Sequence, residues 1–401
     1  MRQNAPAAPQ VTTKRVLTRR GVVWLGQTCN LRCRFCYFQT RIEAKDHPEH
    51  AFMGLDKAKA ICHTLRHHYG NAAIDIQGGE PTIYPGIEEL CAYCAAMGLL
   101  PTLITNALVL AKRDACQRLK DNGVRDLLVS VHGLGKNYDD VVGVPGAHVK
   151  QMAGLENCLA VGLPVRFNCV LTRSSLPHLA AVAKLAVDKG ARVVNFIAFN
   201  PFEDQQKGER SKLDVAAYSE VSPPLIAALD ILNDAGVEAN VRYFPLCQVP
   251  DAYRKQLYNF QQLPYDVHEW DYASWSWTDM KPQRMRDGGL SPLLSLRQAN
   301  LRSPMFRDVP HYLDDPDVSV EDTYRHSAFI RAREHCGYKA APACETCGAK
   351  AICDGFHGDY AAFFGFDEAQ AIATDAPIAD PRHYIAEQRK IVEPEDADWA
   401  L

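Results

Sequence analysis

No stretch of this 401-residue sequence is both long and apolar enough to cross a bilayer, which takes about 18 consecutive apolar residues. The first 15 residues, opening Met-Arg-Gln-Asn-Ala-Pro, lack the apolar centre of a secretory signal. These two absences argue against a membrane and for a cytoplasmic protein. An excess of one charge is missing too. With 44 Lys and Arg against 48 Asp and Glu, the net charge is −4. No basic surplus is offered to phosphates, so nucleic acid is not an expected partner. There is no low-complexity tract, and the aromatic residues are spread along the chain. What remains is an ordinary globular composition, 47% hydrophobic and 23% charged, with length for roughly two or three domains of about 150 residues. The unusual count is 14 cysteines. In a reducing compartment they are not expected as disulfides, and their use points to metal or catalysis.

Three of them are crowded near the front. Cys29, Cys33 and Cys36 lie in Thr-Cys-Asn-Leu-Arg-Cys-Arg-Phe-Cys-Tyr-Phe, with three and then two residues between them. A 4Fe–4S cluster normally takes four thiolates. Three thiolates can hold three irons and leave the fourth open to a small molecule, as a three-ligand metal site is catalytic where a four-ligand one is structural. A zinc knuckle and a structural ferredoxin-type site are the alternatives. Zinc ribbons use paired Cys-x-x-Cys knuckles, and only the second gap has that form. Bacterial ferredoxin runs have two-residue gaps with a proline after the last cysteine, which this run lacks.

Along the chain, apolar runs alternate with helical patterns. Strands are expected at Val22–Gly26, Ala73–Gln77, Pro101–Thr105, Asp126–Val131, Pro164–Leu171 and Arg192–Phe199. Helices are expected at Leu55–Tyr69, Ile87–Met97, Arg113–Asp121, Val149–Ala160, His178–Asp188 and Tyr218–Asn233, the last broken or started by Pro223-Pro224. Six such units predict an α/β fold with a parallel sheet and right-handed crossovers, a partial (β/α)6 barrel. Strands buried on both faces are read as continuous apolar runs, and chemistry is expected at their carboxyl ends. The rhythm stops near Val241. The expected division is a flexible segment over residues 1–17, a core over 18–245 and a bridge or insertion over 246–330. A cysteine-rich extension at 331–367 and a peripheral polar tail at 368–401 follow.

After the second strand comes Gly78-Gly79-Glu80-Pro81. The glycines allow close backbone approach, and carbonyls with a carboxylate supply acceptors for an ammonium group. The cysteine spacing, Phe35 before the third cysteine and this motif together resemble the radical S-adenosylmethionine (radical SAM) superfamily over roughly residues 18–245. The resemblance implies that Cys29, Cys33 and Cys36 carry a catalytic 4Fe–4S cluster and that Gly78, Gly79, Glu80 and Pro81 meet the SAM amino group. It places Ser130, His132 and Asn168, with Arg166 beside it, near the SAM ribose or carboxylate. Strand six, Asn195 to Phe199, would meet the adenine, with Thr105-Asn106 at another strand end. Phe35 and Tyr37 would pack on the adenine or on the barrel rim.

A second dense stretch has Cys344, Cys347 and Cys353, with Cys336 upstream. Its two-then-five spacing resembles the SPASM and twitch extensions that hold auxiliary iron–sulfur clusters. The further cysteine expected four residues on is replaced by His357. The resemblance implies one auxiliary 4Fe–4S cluster, completed by Cys336 or Cys247, with zinc as the alternative. The other cysteines, Cys62, Cys91, Cys94, Cys116, Cys158 and Cys169, sit at apolar positions and read as buried thiols. His63, His67 and His68 read as a solvated helix face, Asp354-Gly355 as a turn, and Glu269-Trp270-Asp271-Tyr272 as a candidate pocket lining.

The resemblance implies reductive cleavage of SAM to a 5′-deoxyadenosyl radical and hydrogen abstraction from a substrate, an oxidoreductase or mutase type of reaction. A one-electron reductant such as flavodoxin or ferredoxin would be a partner. The residues before the first strand are too few for a leader-binding or cobalamin-binding domain, which favours a small metabolite over a peptide. Group transfer from SAM and a non-enzymatic metal-binding scaffold are the other readings.

Overall fold

The computed structural model describes residues 10–12, 20–36, 42–43, 45, 50–67, 70–199, 214–259, 268–270 and 337–399. In chain order the elements are β1 (Gln10–Thr12), β2 (Arg20–Trp24), α1 (Leu55–His67), β3 (Ala73–Gln77), α2 (Ile87–Ala96), β4 (Leu100–Thr105), α3 (Arg113–Asp121) and β5 (Asp126–Ser130). Then come α4 (Gly135–Val142), α5 (Ala147–Val161), β6 (Val165–Leu171), α6 (Leu179–Asp188), β7 (Val193–Ala198), α7 (Tyr218–Asp234) and β8 (Glu238–Arg242). The chain ends with α8 (Asp251–Arg254), β9 (Leu257–Tyr258), β10 (His268–Trp270), α9 (Gly358–Phe364) and β11 (Lys390–Val392).

Nine strands form one parallel sheet in the order β10-β2-β3-β4-β5-β6-β7-β8-β9, curled into a half-barrel with helices outside. The six expected strands stand side by side in chain order, which is what short right-handed crossovers produce. Strand β8 extends the row, and three residues of the expected bridge, His268–Trp270, pair with Gly21–Val23 at the other edge. Helix α7 runs unbroken through Pro223 and Pro224.

The two faces of the sheet differ. Ile74, Ile76, Leu103, Leu127, Val129, Phe167, Phe196 and Val241 pack against Ile61, Leu65, Leu90, Leu155 and Leu229 of the helices in one continuous core. Register partners share a face, and the opposite face carries the rows Asp75–Thr102–Asp126 and Ser130–Asn168–Asn195–Asn240. The lumen is therefore polar. The strands are not apolar on both sides, and β6 alternates buried and half-buried residues along its length.

The amino end of the lumen is a closed floor. Asp126 is fully buried and paired with Arg166 at 3.2 Å, with Arg192 at 3.8 Å and Arg125 at 3.9 Å nearby. Thr102 donates to it at 2.5 Å, and Arg20 pairs with Asp75 at 2.7 Å. Burial alone would raise the Asp126 pKa. The Arg166, Arg125 and Arg20 guanidiniums and the Thr102 hydroxyl instead hold it well below the usual carboxylate range. The segment expected to be a peripheral tail crosses this floor. Glu395 pairs with Arg125, Glu393 with Arg192 at 2.6 Å, and buried Lys390 with Glu238 at 2.8 Å. Strand β11 then pairs antiparallel with β1, so the two ends of the chain meet there.

Candidate functional site

At the carboxyl end, β2 runs into the cysteine loop. Arg32 and Arg34 donate their backbone N–H groups to Val142 and Val141 at the end of α4, at 2.8 and 3.1 Å. The α4 terminus thus fixes the loop between its first and third cysteines. Gly143 follows in the left-handed region, φ +69°, and a Cβ there would stand 2.9 Å from the Arg32 carbonyl oxygen. The backbone N–H of Leu31 points at the Cys29 sulfur, 3.4 Å away. Cys29, Cys33 and Cys36 are all half-buried and form no disulfide. Burial, then Glu80, pushes the Cys29 thiol up to about 12; burial and the neighbouring cysteines raise Cys33. Both thiols therefore hold their protons until a metal displaces them.

The Gly78-Gly79-Glu80 segment is bonded along the strand-to-cysteine connection. Gly79 N–H donates to the Gly26 carbonyl at 2.7 Å and Glu80 N–H to the Thr28 carbonyl at 2.9 Å. A Cβ on Gly78, φ +152°, would lie 2.6 Å from the Gly26 oxygen, and one on Gly79 would lie 2.0 Å from the Thr28 oxygen. The close approach that requires these glycines is to the cysteine loop itself. The Glu80 carboxylate is also engaged within the protein. It accepts from Thr82 N–H at 3.0 Å, Thr82 Oγ1 at 2.5 Å, Thr105 Oγ1 at 2.6 Å and Asn106 N–H at 2.7 Å. Burial raises its pKa despite these four bonds. Asn106 in turn donates Nδ2 to Asn30 Oδ1 at 2.7 Å, inside the cysteine loop. Glu80, Thr105 and Asn106 thus tie the ends of β3 and β4 to the loop. Pro81 opens a short 3-10 turn.

The remaining expected contacts divide. Ser130 and Asn168 are half-buried register partners on the lumen face. Arg166 is held by Asp126 at the floor, and Asn195 accepts from Asn240 Nδ2 at 3.1 Å. His132 is buried. Its Nδ1 accepts from Val170 N–H at 3.2 Å, and its ring meets Phe35 edge-on at 4.5 Å. Burial pushes its pKa down to about 3, so it is neutral at pH 7. Phe35 also lies edge-on to Phe199, with ring centroids 6.4 Å apart. Tyr37, Cys336, His68, Asp271 and Tyr272 lie outside the described residues, as do the side chains of Glu269 and Trp270. Sequence reading missed Gln151. It is a fully buried glutamine of α5, whose Nε2 reaches the carbonyls of Asn106 at 3.1 Å and Ser130 at 2.8 Å. Its place among apolar helix residues gave only a weak signal.

The second cysteine group stands at the same end of the sheet. Cys247 follows β8 and lines one cavity with Cys344, Cys347 and Cys353, together with Pro245, Lys350 and Ile372. Ile372 N–H donates to the Cys347 sulfur and Gln248 Nε2 to the Cys247 sulfur, each at 3.4 Å. Burial pushes Cys353 up to about 12. The turn falls at Ala351-Ile352, and Asp354-Gly355, expected as a turn, is irregular backbone with Gly355 at φ +88°. His357 is turned to another task, its Nδ1 accepting from Asp359 N–H at 3.2 Å to start α9. The region is fixed to the barrel by Tyr360, which stacks on Tyr218 at 3.8 Å and accepts from its N–H at 2.7 Å. Among the described residues, no three Cys, His, Asp or Glu side chains converge closely enough for a single metal ion. No helix among the described residues is long and apolar enough to cross a membrane.

The chain is similar to several known proteins. Residues 25–186 match the Radical SAM superfamily. An AdoMet-dependent heme synthase of Oleidesulfovibrio alaskensis is 30% identical over 174 residues, 43% of each chain. An Fe-coproporphyrin III synthase of Methanosarcina barkeri is 30% identical over 165 residues, 41% of this chain and 40% of that one. A PqqA peptide cyclase of a Methylobacterium species is 27% identical over 240 residues, 58% of each. The chain thus spans about half the length of the curated relatives it matches. Among solved structures, Streptococcus suis SuiB bound to S-adenosylmethionine aligns with a TM-score of 0.45 and 19% identity, over 56% of this chain and 50% of that one.

Proposed function

We propose, from the premise that residues 25–186 are a radical SAM domain, that this chain is an enzyme that cleaves SAM reductively and takes a hydrogen atom from a substrate held in the half-barrel lumen. One observation carries the reading. Three thiols share a single loop at the carboxyl end of a parallel sheet, and the Gly26 and Thr28 carbonyls that lead into that loop accept from the N–H groups of Gly79 and Glu80. Cys29, Cys33 and Cys36 would hold a 4Fe–4S cluster. With SAM bound, that cluster supplies the 5′-deoxyadenosyl radical that abstracts hydrogen. Because the Glu80 carboxylate is engaged by Thr82, Thr105 and Asn106, backbone carbonyls of the Gly78–Glu80 segment are the better acceptors for the SAM amino group. Ser130 and Asn168 offer lumen-facing polar groups, Phe35 closes the rim beside His132, and the apolar helix-packed wall keeps water from the other face.

Cys247, Cys344, Cys347 and Cys353 would hold an auxiliary 4Fe–4S cluster. Four thiols around one cavity supply a complete ligand set, so Cys336 is not needed. A flavodoxin or ferredoxin would be the electron donor, and the cytoplasm the site of action. Relatives named for haem synthesis and for peptide cyclisation leave a small metabolite and a peptide both open as substrate class.

The test is iron and sulfide content after anaerobic reconstitution, with analysis of the products of SAM. Wild type should hold about eight irons and the Cys29/Cys33/Cys36 triple alanine variant about four. Cys247→Ala should also fall to about four, and Cys336→Ala should stay at about eight. The product should be 5′-deoxyadenosine. A different SAM-derived product would favour group transfer, and zinc in place of the second set of irons would remove the auxiliary cluster.

A further inference from the structure

The charges of the lumen are sorted along its length. Near the amino end, the described cations have acid partners: Arg20 with Asp75, Arg166 with Asp126, Arg192 with Glu393, Arg125 with Glu395 and Lys390 with Glu238. Arg242 ends β8 at the opposite, carboxyl end. It lies two residues after Asn240, which bonds across the ladder to Asn195, and its own register partners are Ile197 and Tyr258. That parity places it on the lumen face. The guanidinium Nε is buried and has no hydrogen-bond or ion-pair partner among the described residues. The next residue, Tyr243, is held in the left-handed region at φ +64°. Backbone held there costs roughly 1 kcal/mol or more and clusters at functional sites. Four residues further on, Cys247 enters the second cysteine cavity.

A half-buried guanidinium without an acid is costly unless an anion joins it. We infer that Arg242 anchors a carboxylate of the substrate at the lumen mouth. This rests on the proposed function and narrows its substrate to a carboxylic acid. One planar guanidinium fork matches the two oxygens of one carboxylate. A phosphate dianion would call for a second free cation, and no second unpaired Lys or Arg is found on the described lumen face. The carboxylate of SAM is the competing occupant; the Cys29 loop leaves β2, six ladder steps along the curled sheet from β8.

The test is phenylglyoxal labelling of the reconstituted wild-type protein under anaerobic conditions, read at Arg242 by peptide mass spectrometry. Succinate, succinamide, inorganic phosphate and SAM are the added probes. Arg242 should label in the free protein. Succinate should slow labelling about ten-fold at ten times its Kd, while the neutral diamide has no effect. An unreactive Arg242 would mean that the chain already pairs it, and would overturn the inference. So would equal labelling with and without succinate, stronger protection by phosphate, or protection by SAM alone. Labelling does not read SAM cleavage. A wild-type protein that yields no 5′-deoxyadenosine but shows succinate protection would lose the radical reading and keep the anion site, and the reverse result would do the opposite.

Discussion

The two ends of the lumen are built from the same strands and do opposite things. At the floor the charges at or near the starts of β2, β3, β5, β6, β7 and β8 find partners, and the tail from Gln388 to Glu395 adds two acids and a lysine. At the mouth the thiols of Cys29, Cys33 and Cys36 are half-buried, and Arg242 has no acid among the described residues. The floor's charges are paired with one another, although Arg125 Nε, Asp126 Oδ2 and Arg166 Nε are buried without a hydrogen bond. The mouth keeps capacity in reserve and is held in shape from outside by α4, by the Glu80–Asn106–Asn30 chain and by Gln151. Stability should therefore be concentrated at one end and chemistry at the other.

The sharpest test of that division is Cys33→Ala. Reductive cleavage of SAM should fall by about a thousand-fold or more, equivalent to at least about 4 kcal/mol at the transition state. The melting midpoint of the metal-free protein should move by only a few degrees, since a half-buried thiol contributes little packing. Iron content, product chromatography and calorimetry on the same sample read both sides. Retained cleavage would break the assignment of chemistry to the mouth.

The complementary variant is Lys390→Met, which removes a buried cation and leaves Glu238 without it. The expected loss is about 3–5 kcal/mol of folding stability, measured by urea denaturation. The double variant Lys390→Met with Glu238→Gln should lose less than the single one, because no uncompensated charge remains. If the single variant were neutral, the floor would not be the stabilising end.

Gly79→Ala is the variant that should cross the division. Its Cβ would sit 2.0 Å from the Thr28 carbonyl oxygen, an overlap that only backbone movement relieves. The expected cost is about 3 kcal/mol, and the cysteine loop should move with it, so iron incorporation falls as well. Loss of stability with full iron content would show that the two loops are less tightly joined than their hydrogen bonds imply.

The sheet was legible wherever a strand was apolar enough to stand out, and its six central members were found within two residues. Strand β8 was not found, because Glu-Ala-Asn-Val-Arg alternates polar and apolar residues. The expectation that both faces of a parallel strand are apolar hides any strand whose lumen face is polar. The same polarity hid Arg20 as the start of β2. Local spacing made the cysteine triad and the Gly78-Gly79-Glu80-Pro81 motif readable, since each works within one loop. What joins them was not readable. Asn30, Asn106 and Gln151 meet only after β4, β5 and α5 are in place, and no local pattern marks an asparagine that will bond across 76 positions. The tail was misjudged for a related reason. Lys390, Glu393 and Glu395 look like solvated charges until Glu238, Arg192 and Arg125 are brought beneath them.

The smallest expected effect refines the floor by pH. Asp126 has its pKa depressed in the folded state, so it binds a proton more weakly there than in the unfolded chain. Its contribution is present above the unfolded carboxylate value near 3.9 and is lost as pH falls toward the folded value. Asp126→Asn should therefore cost on the order of 2 kcal/mol at pH 7. The gap from wild type should narrow as pH drops below about 4, where the carboxylate of the unfolded wild-type chain takes up a proton and that of the folded chain does not. Urea midpoints between pH 7 and pH 3 read this directly. A gap that stays constant with pH would mean that the aspartate acts through shape and neutral hydrogen bonding from Thr102, and that the guanidiniums of Arg166, Arg125 and Arg20 do not depend on its charge. A gap that closes would place the charge itself at the centre of the floor. Acidic solution would then loosen the tail before it disturbs the cysteine loop at the far end.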